Sequence, residues 1–216
     1  MKNVTGKVNV HTVYMTKQGK VPSVTTVLGV LNKPALLRWA NRLGMEGIDV
    51  TKYVDEKADI GQCCHYMIEC DVKDKKPDLS IYSKFVIEKA ENSFLKWLEW
   101  KDGKDIEFIS SEMKLVSEKY QFGGTIDIYA KINGALTLLD IKTSESGIWP
   151  EMKFQTAGGY RLLLEENGYR VEKIIILRIG RDENSGYEEE AIENWQAYTK
   201  VFLLCRQLYD ELKVAK

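Results

Sequence analysis

Two aspartates and a lysine fall on one predicted hairpin, in the stretch FGGTIDIYAKINGALTLLDIKT from Phe122 to Thr143. Its centre, Asn133-Gly134, is the strongest short-range signal for a two-residue type I′ turn. Counting outward from that turn, Ile132 faces Ala135, Ile128 faces Leu139, Asp127 faces Asp140 and Thr125 faces Lys142. Residues two apart share a strand face, so Lys142 projects beside Asp140. Ile126, Ile128, Leu139 and Ile141 are expected to form the opposite, core face. Opposed residues on antiparallel strands have Cβ atoms about 4.5–5.5 Å apart, and like charges there repel. Two readings are open: both acids point into water at a solvated sheet edge, or a hard divalent cation turns their repulsion into coordination.

Other residues able to do chemistry sit on flanking elements. The pattern predicts a strand over Ile106–Ser117 with Glu112 and Lys114 on one face and Met113 and Leu115 on the other. If the turn near Glu118–Tyr120 holds an even number of residues, Glu112 shares the face of Asp127 and Asp140. A helix over Thr51–Asp71 places Ala58, Gly61, His65, Ile68 and Val72 on one side, with Glu69 one turn after His65. A histidine on such a face serves either as a core residue or as a ligand. Ser23 is a plausible N-cap for a short helix, and Pro34 suits the first turn of a helix through about Gly44. That second helix carries Arg38 and Arg42 beside Trp39, either as a solvated basic face or as phosphate contacts next to an aromatic platform.

The remaining elements must hold these groups in place. A short strand is expected at Val8–Tyr14. A helix over about Ile81–Trp100 is expected to bury Phe85, Ala90, Phe94, Leu95, Trp97 and Leu98. Trp149-Pro150 opens a helix to about Asn167 that contains Lys153, Gln155, Gly158-Gly159 and Tyr160. Two helical glycines cost roughly 1 kcal/mol each against alanine, which close approach to the sheet or a ligand would offset. Lys173–Gly180, KIIILRIG, reads as a strand buried on both faces. Glu188–Val214 reads as one long amphipathic helix with Ile192, Trp195, Phe202 and Leu208 inward. The order is helices, three antiparallel strands, helix, strand, helix. It implies one α/β domain over 1–216: a mainly helical subregion (1–100), a mixed core sheet (105–180) and the C-terminal helix (188–214).

The chain has 216 residues and a net charge of −1, so no global field draws it to a polyanion. No apolar run approaches the ~18 residues of a membrane span, and the first residues lack an apolar signal-peptide core. Membrane association is not expected. Cys63, Cys64, Cys70 and Cys205 match no standard metal spacing, which suits free thiols in a reducing cytoplasm.

Asp127 followed by Asp140-Ile141-Lys142 resembles the signature of PD-(D/E)xK nucleases. The GGTID context, and His65 within Gly61-Gln62-Cys63-Cys64-His65-Tyr66-Met67-Ile68-Glu69, are similar to the RecB-like exonuclease branch. PSVTTVL adds a likeness to phage-type members. The resemblance covers roughly residues 55–180 and implies a restriction-endonuclease-like αβββαβ core. It implies Mg²⁺ or Mn²⁺, one or two ions, held by His65, Asp127, Asp140 and the Ile141 backbone carbonyl. Lys142 would orient or deprotonate the attacking water and stabilise phosphoryl charge. Glu112 would bind a second ion or hold a water, and Gln155 would position a water, the lysine or the scissile phosphate. Lys153, Arg38 and Arg42 are candidate backbone contacts. The activity implied is a DNA exonuclease acting on linear ends in recombination, repair or phage replication. An endonuclease on the same core, or a non-catalytic nucleic-acid-binding protein, are the alternatives. The chain departs from the family in two respects. The cysteines do not follow the arrangement of the iron–sulfur members, so no cluster is expected. Tyr160 follows Gln155 by five residues where the family's helix often shows four, and on an α-helix that step turns it about 140° off the glutamine's face.

Overall fold

The structure, a computed structural model, describes residues 12–31 and 33–215. A five-stranded mixed sheet runs in the order β3–β4–β5–β6–β7 between two helical layers. Its strands are β3 (Ile106–Ser117), β4 (Phe122–Ile132), β5 (Ala135–Thr143), β6 (Lys173–Ile179) and β7 (Tyr187–Ala191). The first three form an antiparallel meander, β6 lies parallel to β5, and β7 returns antiparallel. Before the sheet come a small hairpin, β1 (Tyr14–Thr16) with β2 (Gly19–Val21), and four helices: α1 (Val24–Leu28), α2 (Pro34–Met45), α3 (Val50–Val72) and α4 (Lys84–Lys101). Residues 8–11 of the strand expected at Val8–Tyr14 lie outside the described residues. Ser23 caps α1 through the Thr26 N–H, and Pro34 opens α2, as their positions predict.

The central turn forms at Asn133 and Gly134, both with positive φ (48° and 85°), as a type I′ turn demands. Both faces of the hairpin are buried, so it has no single core face. Ile128, Leu139 and Ile141 join α3 and α4 on one side of the sheet. Ile126 joins the opposite core, with α1, α7 and the helix after β5. In a regular strand Ile126 and Ile128 would share a face. Their separation marks a change of side at Asp127.

Two assignments are corrected at the C-terminal end. Tyr187–Ala191 is an edge strand, and α7 (Trp195–Val214) begins only after Asn194, whose left-handed backbone (φ 50°) separates the two. Three successive glutamates favour a helix by propensity, but each finds a partner across this strand. Glu188 meets Arg178 at 3.1 Å, Glu189 accepts from the Trp100 indole at 2.7 Å, and Glu190 pairs with Lys153. Within α7, Phe202 is fully buried while Leu208 is largely exposed. The same holds in α4, where Val86, Ala90, Trp97 and Trp100 face inward but Phe85 and Leu95 face solvent.

The helix after β5 differs from expectation in its winding. It starts as α5 (Pro150–Lys153), passes through a π-helical stretch (Phe154–Tyr160) and ends as α6 (Arg161–Glu166). Gly158 and Gly159 lie in the π stretch, and their close approach is to other helices rather than to the sheet. A Cβ on Gly158 would meet the Phe202 Cβ at 2.8 Å and the Tyr198 carbonyl oxygen at 2.9 Å; one on Gly159 would meet Val24 at 2.6 Å. Gly158→Ala should therefore destabilise the protein by about 1–3 kcal/mol through overpacking, against a helix-propensity gain of about 1 kcal/mol. Urea unfolding measures the balance, and a net gain would show that α7 is free to back away.

Candidate metal centre

The β4–β5 ladder runs from the turn to Ile128 and Leu139 and stops there. Beyond that point β4 continues against β3 as far as Phe122, and β5 continues against β6 as far as Thr143. Asp127 and Asp140 are the first residues past the end of the shared ladder. They do not face each other as a cross-strand pair, and Thr125 is paired with Lys114 rather than Lys142. The Asp127 carboxylate instead bridges the gap, with Oδ2 accepting from the Ile141 N–H at 2.8 Å. Ile141 thus enters the site through its amide, while its side chain is buried in the core.

The turn between β3 and β4 holds four residues, 118–121, so Glu112 comes to the Asp127 side as the even-number condition requires. Glu112 sits in the interior of β3 with φ 50°, a conformation that L side chains rarely adopt in a strand. On α3, Gly61 and His65 line an open cleft of about 710 Å³ together with Glu112, Thr125, Asp127 and Tyr160. The packed face of α3 is formed by Ile60, Cys64, Met67 and Ile68, so Ala58, Gly61 and His65 form a cleft wall rather than a core stripe. One ligand atom each from His65, Glu112 and Asp127 lie within 4.8 Å of one another. The His65 Nδ1 is 3.8 Å from Glu112 and 3.7 Å from Asp127. Burial alone would lower the His65 pKa, but the charge of Asp127 and the hydrogen bond and charge of Glu112 outweigh it and raise it to about 9.

Asp140 occupies a separate, drier place. It has no exposed surface. Its Oδ2 accepts from Thr156 at 2.8 Å and pairs with the Lys142 ammonium at 2.6 Å. Its Oδ1 is buried with no hydrogen-bond partner among the described residues. Burial raises the Asp140 pKa, Lys142 offsets part of this and Asp127 adds to it, leaving it at about 6. Thr156 was not singled out in the sequence; its signal is its place next to Gln155 on the one helix that must cover the hairpin.

Tyr160 is the main correction at the site. A π-helix closes its turn over five residues, so residue i+5 lies above residue i. Gln155 and Tyr160 therefore do share a face, and the Gln155 amide donates to the Tyr160 hydroxyl at 2.6 Å. The Tyr160 hydroxyl is held well above its usual pKa by burial and by the charges of Asp140 and Asp127. The GGTID glycines admit the flanking rings: a Cβ on Gly123 would strike Tyr14 at 2.4 Å, and one on Gly124 would strike Tyr160 at 2.8 Å. Tyr14 in turn shares a 2.8 Å hydrogen bond with Thr125.

Of the basic candidates, Lys142 is in place. Lys153 is occupied by Glu190, and Arg38 and Arg42 are exposed on α2 without lining the cleft. Arg181, overlooked in the sequence, does line it, and donates to the Thr143 carbonyl. Cys63 and Cys64 pack between α3 and α4, whereas Cys205 lies in the core across the sheet. Among the described residues, no helix is long and apolar enough to cross a membrane.

The chain matches no family model and no curated protein. Among solved structures it is similar to one described as the crystal structure of SSO0001, at 20% identity over 70% of this chain and 74% of that chain. The TM-score is 0.36, a level at which the likeness carries no argument.

Because its pKa lies near 9, His65 carries a proton at neutral pH in the metal-free protein. That charge stabilises the fold below the unfolded value of about 6.5, and the benefit is lost as pH rises through 9. A cation taking the imidazole must displace the proton, so apparent Mn²⁺ affinity should rise by up to about tenfold per pH unit between pH 6.5 and 8.5. Calorimetric titration checks this, and a slope unchanged in His65→Ala would remove the histidine from the centre.

Proposed function

We propose that this protein is a metal-dependent nuclease with a restriction-endonuclease-like core, acting as an exonuclease on linear DNA. The observation that carries the reading is the convergence of His65, Glu112 and Asp127 from one helix and two strands within 4.8 Å, beside the buried Asp140–Lys142 pair. A purely structural sheet gains nothing from these acids, since one is fully buried and another sits on left-handed backbone. The meander, crossover helix and parallel β6 follow the αβββαβ order that the resemblance implies. The RecB-like context of His65 and of GGTID favours the exonuclease over the endonuclease reading.

The donor set fits Mg²⁺ or Mn²⁺. Carboxylate oxygens suit hard cations, one imidazole adds tolerance for Mn²⁺, and the unpartnered Asp140 Oδ1 is a buried acceptor in need of a positive neighbour. His65, Glu112 and Asp127 would hold the ion, and Asp140 and the Ile141 carbonyl are ligands only as the resemblance implies. When bound, such an ion supplies charge neutralisation at the phosphate and activation of water. The chain's own contribution is positional and electrostatic. Asp140 fixes the Lys142 ammonium, whose charge offsets the negative charge that builds on the phosphoryl oxygens. The Gln155–Tyr160 pair presents a hydroxyl at the cleft wall, where it can orient a water or a phosphate oxygen.

End-labelled linear DNA should be degraded in Mg²⁺ or Mn²⁺ while closed circular DNA survives, and chelator should abolish the reaction. Undiminished cleavage in excess chelator would refute the proposal, and cleavage of closed circles would make the protein an endonuclease. Lys142→Ala should lower kcat by at least about 100-fold with little change in DNA affinity, as removal of one preorganised charge does elsewhere. Normal turnover with much weaker binding would make Lys142 a phosphate anchor instead.

Asp140→Asn separates catalysis from stability. The carboxylate is disfavoured by its burial, so in the metal-free protein stability falls as pH rises from about 4 to 6, through the window between its ordinary and folded pKa. Asparagine keeps an acceptor for Thr156 and removes the buried charge. At pH 8 in chelator the variant should unfold at the same urea concentration as wild type or gain about 1 kcal/mol, yet show no cleavage. A loss of several kcal/mol would identify the Asp140–Lys142 pair as a structural element.

A further inference from the structure

We propose that two copies of this chain pair through the outward face of α7, antiparallel about a twofold axis, with Leu204 of each seated against Leu208 of the other. This pairing is independent of the chemistry proposed above. An α-helix turns about 100° per residue, so the buried Phe202 and Cys205, with Trp195 and Tyr198 beside them, fix one side of α7 against the core. The opposite side should then be polar in a helix that meets only water there. It instead carries Leu204 (57% exposed), Leu208 and Leu212 (both 46%), one turn apart in a single row. Single exposed leucines are ordinary, but a row of three on one helix face marks a surface that another chain covers.

The residues around this row point to what covers it, because they are complementary to themselves. Setting Leu204 opposite Leu208 of an antiparallel second helix fixes the register of the whole face. Ala197 then lies opposite Ala215, and two such small residues let the helix ends approach. Val201 comes within one residue of Leu212, on one flank of the row. Lys200 comes within one residue of Glu211, on the other flank. The twofold axis makes each pairing twice, as an isologous interface requires. Lys200 and Glu211 are both exposed, and neither has an ion-pair partner among the described residues. A groove of about 390 Å³ between α6 and α7 borders Lys200 and is lined by Arg161, Leu203 and Gln207. Glu211 of the second copy would enter there, where Arg161 is already held by Glu165 and Lys200 is the open charge. An apolar seam with charges at its rim is the usual make-up of such a contact. A parallel pair would instead set the charged flank against Val201 and Leu212, burying Lys200 and Glu211 without partners.

Sedimentation equilibrium of the protein tests this. At about 50 µM, where a pair with a micromolar Kd is mostly associated, the mass should be twice that of one chain. Leu204→Glu should weaken the association at least about thirtyfold, as loss of a central anchor does, and leave the urea midpoint unchanged because the position is exposed. Lys200→Glu and Glu211→Lys should each weaken it at least about tenfold by setting like charges opposite each other, and the double variant should restore the wild-type affinity. That rescue follows from antiparallel pairing in this register and not from an apolar face that merely sticks. A wild type that stays monomeric leaves the face to a different partner and overturns the proposal. So does a dimer indifferent to Leu204→Glu, or one whose charge reversals are not rescued in combination. The charge variants keep the test decisive even if Leu204→Glu does not fold.

Discussion

A carboxylate with no exposed surface at the middle of a sheet is the constraint around which this molecule is arranged. Taking Asp140 out of water carries a desolvation penalty that a surface acid never meets. The local chain answers with Lys142 two residues later on the same strand and Thr156 from the helix above. Neither contact reaches Oδ1, and together they leave the group readier than usual to hold a proton. On the proposed reading, a buried acid still short of positive charge serves a cation site better than a scaffold. The sheet forks at the same place, and the Asp127 carboxylate spans the opening by accepting from the Ile141 N–H.

Short-range geometry was legible in the sequence. The turn residues, the pairing of Ile128 with Leu139, the full span of β3, the Ser23 cap of α1 and the Pro34 start of α2 all follow from local chemistry. What failed was information carried by distant partners. The ladder stops where the Asp127 side chain takes the Ile141 N–H. The glutamates of β7 look helical until Arg178, Trp100 and Lys153 are placed around them. The inward face of α3 is carried by Ile60, Cys63, Cys64 and Met67, where the cysteines fill the core as small apolar residues do, and the stripe through Ala58, Gly61 and His65 lines the cleft instead.

At the candidate site, the residues named by type and spacing assemble only in part. His65, Glu112 and Asp127 come together, and Lys142 lies beside Asp140. The residues that hold them there, Thr156, Tyr14 and Arg181, carry no sequence signal strong enough to be picked out. Each acts through one hydrogen bond whose partner is at least sixteen residues away. Of the binding candidates named from charge alone, Lys153 pairs with an edge-strand glutamate that the sequence reading places in a helix.

The π-helical stretch has a consequence for how such chains should be compared. An α-helix brings residues four apart onto one face, and a π-turn does the same for residues five apart. The wider turn holds one extra residue and absorbs it locally, so Gln155 and Tyr160 still meet. Counted along the chain, the spacing is out of step by one; counted in turns of the helix, it is in phase. An insertion of this kind is invisible to the geometry it serves, and a spacing rule written in residues would discard the tyrosine that a rule written in angles retains.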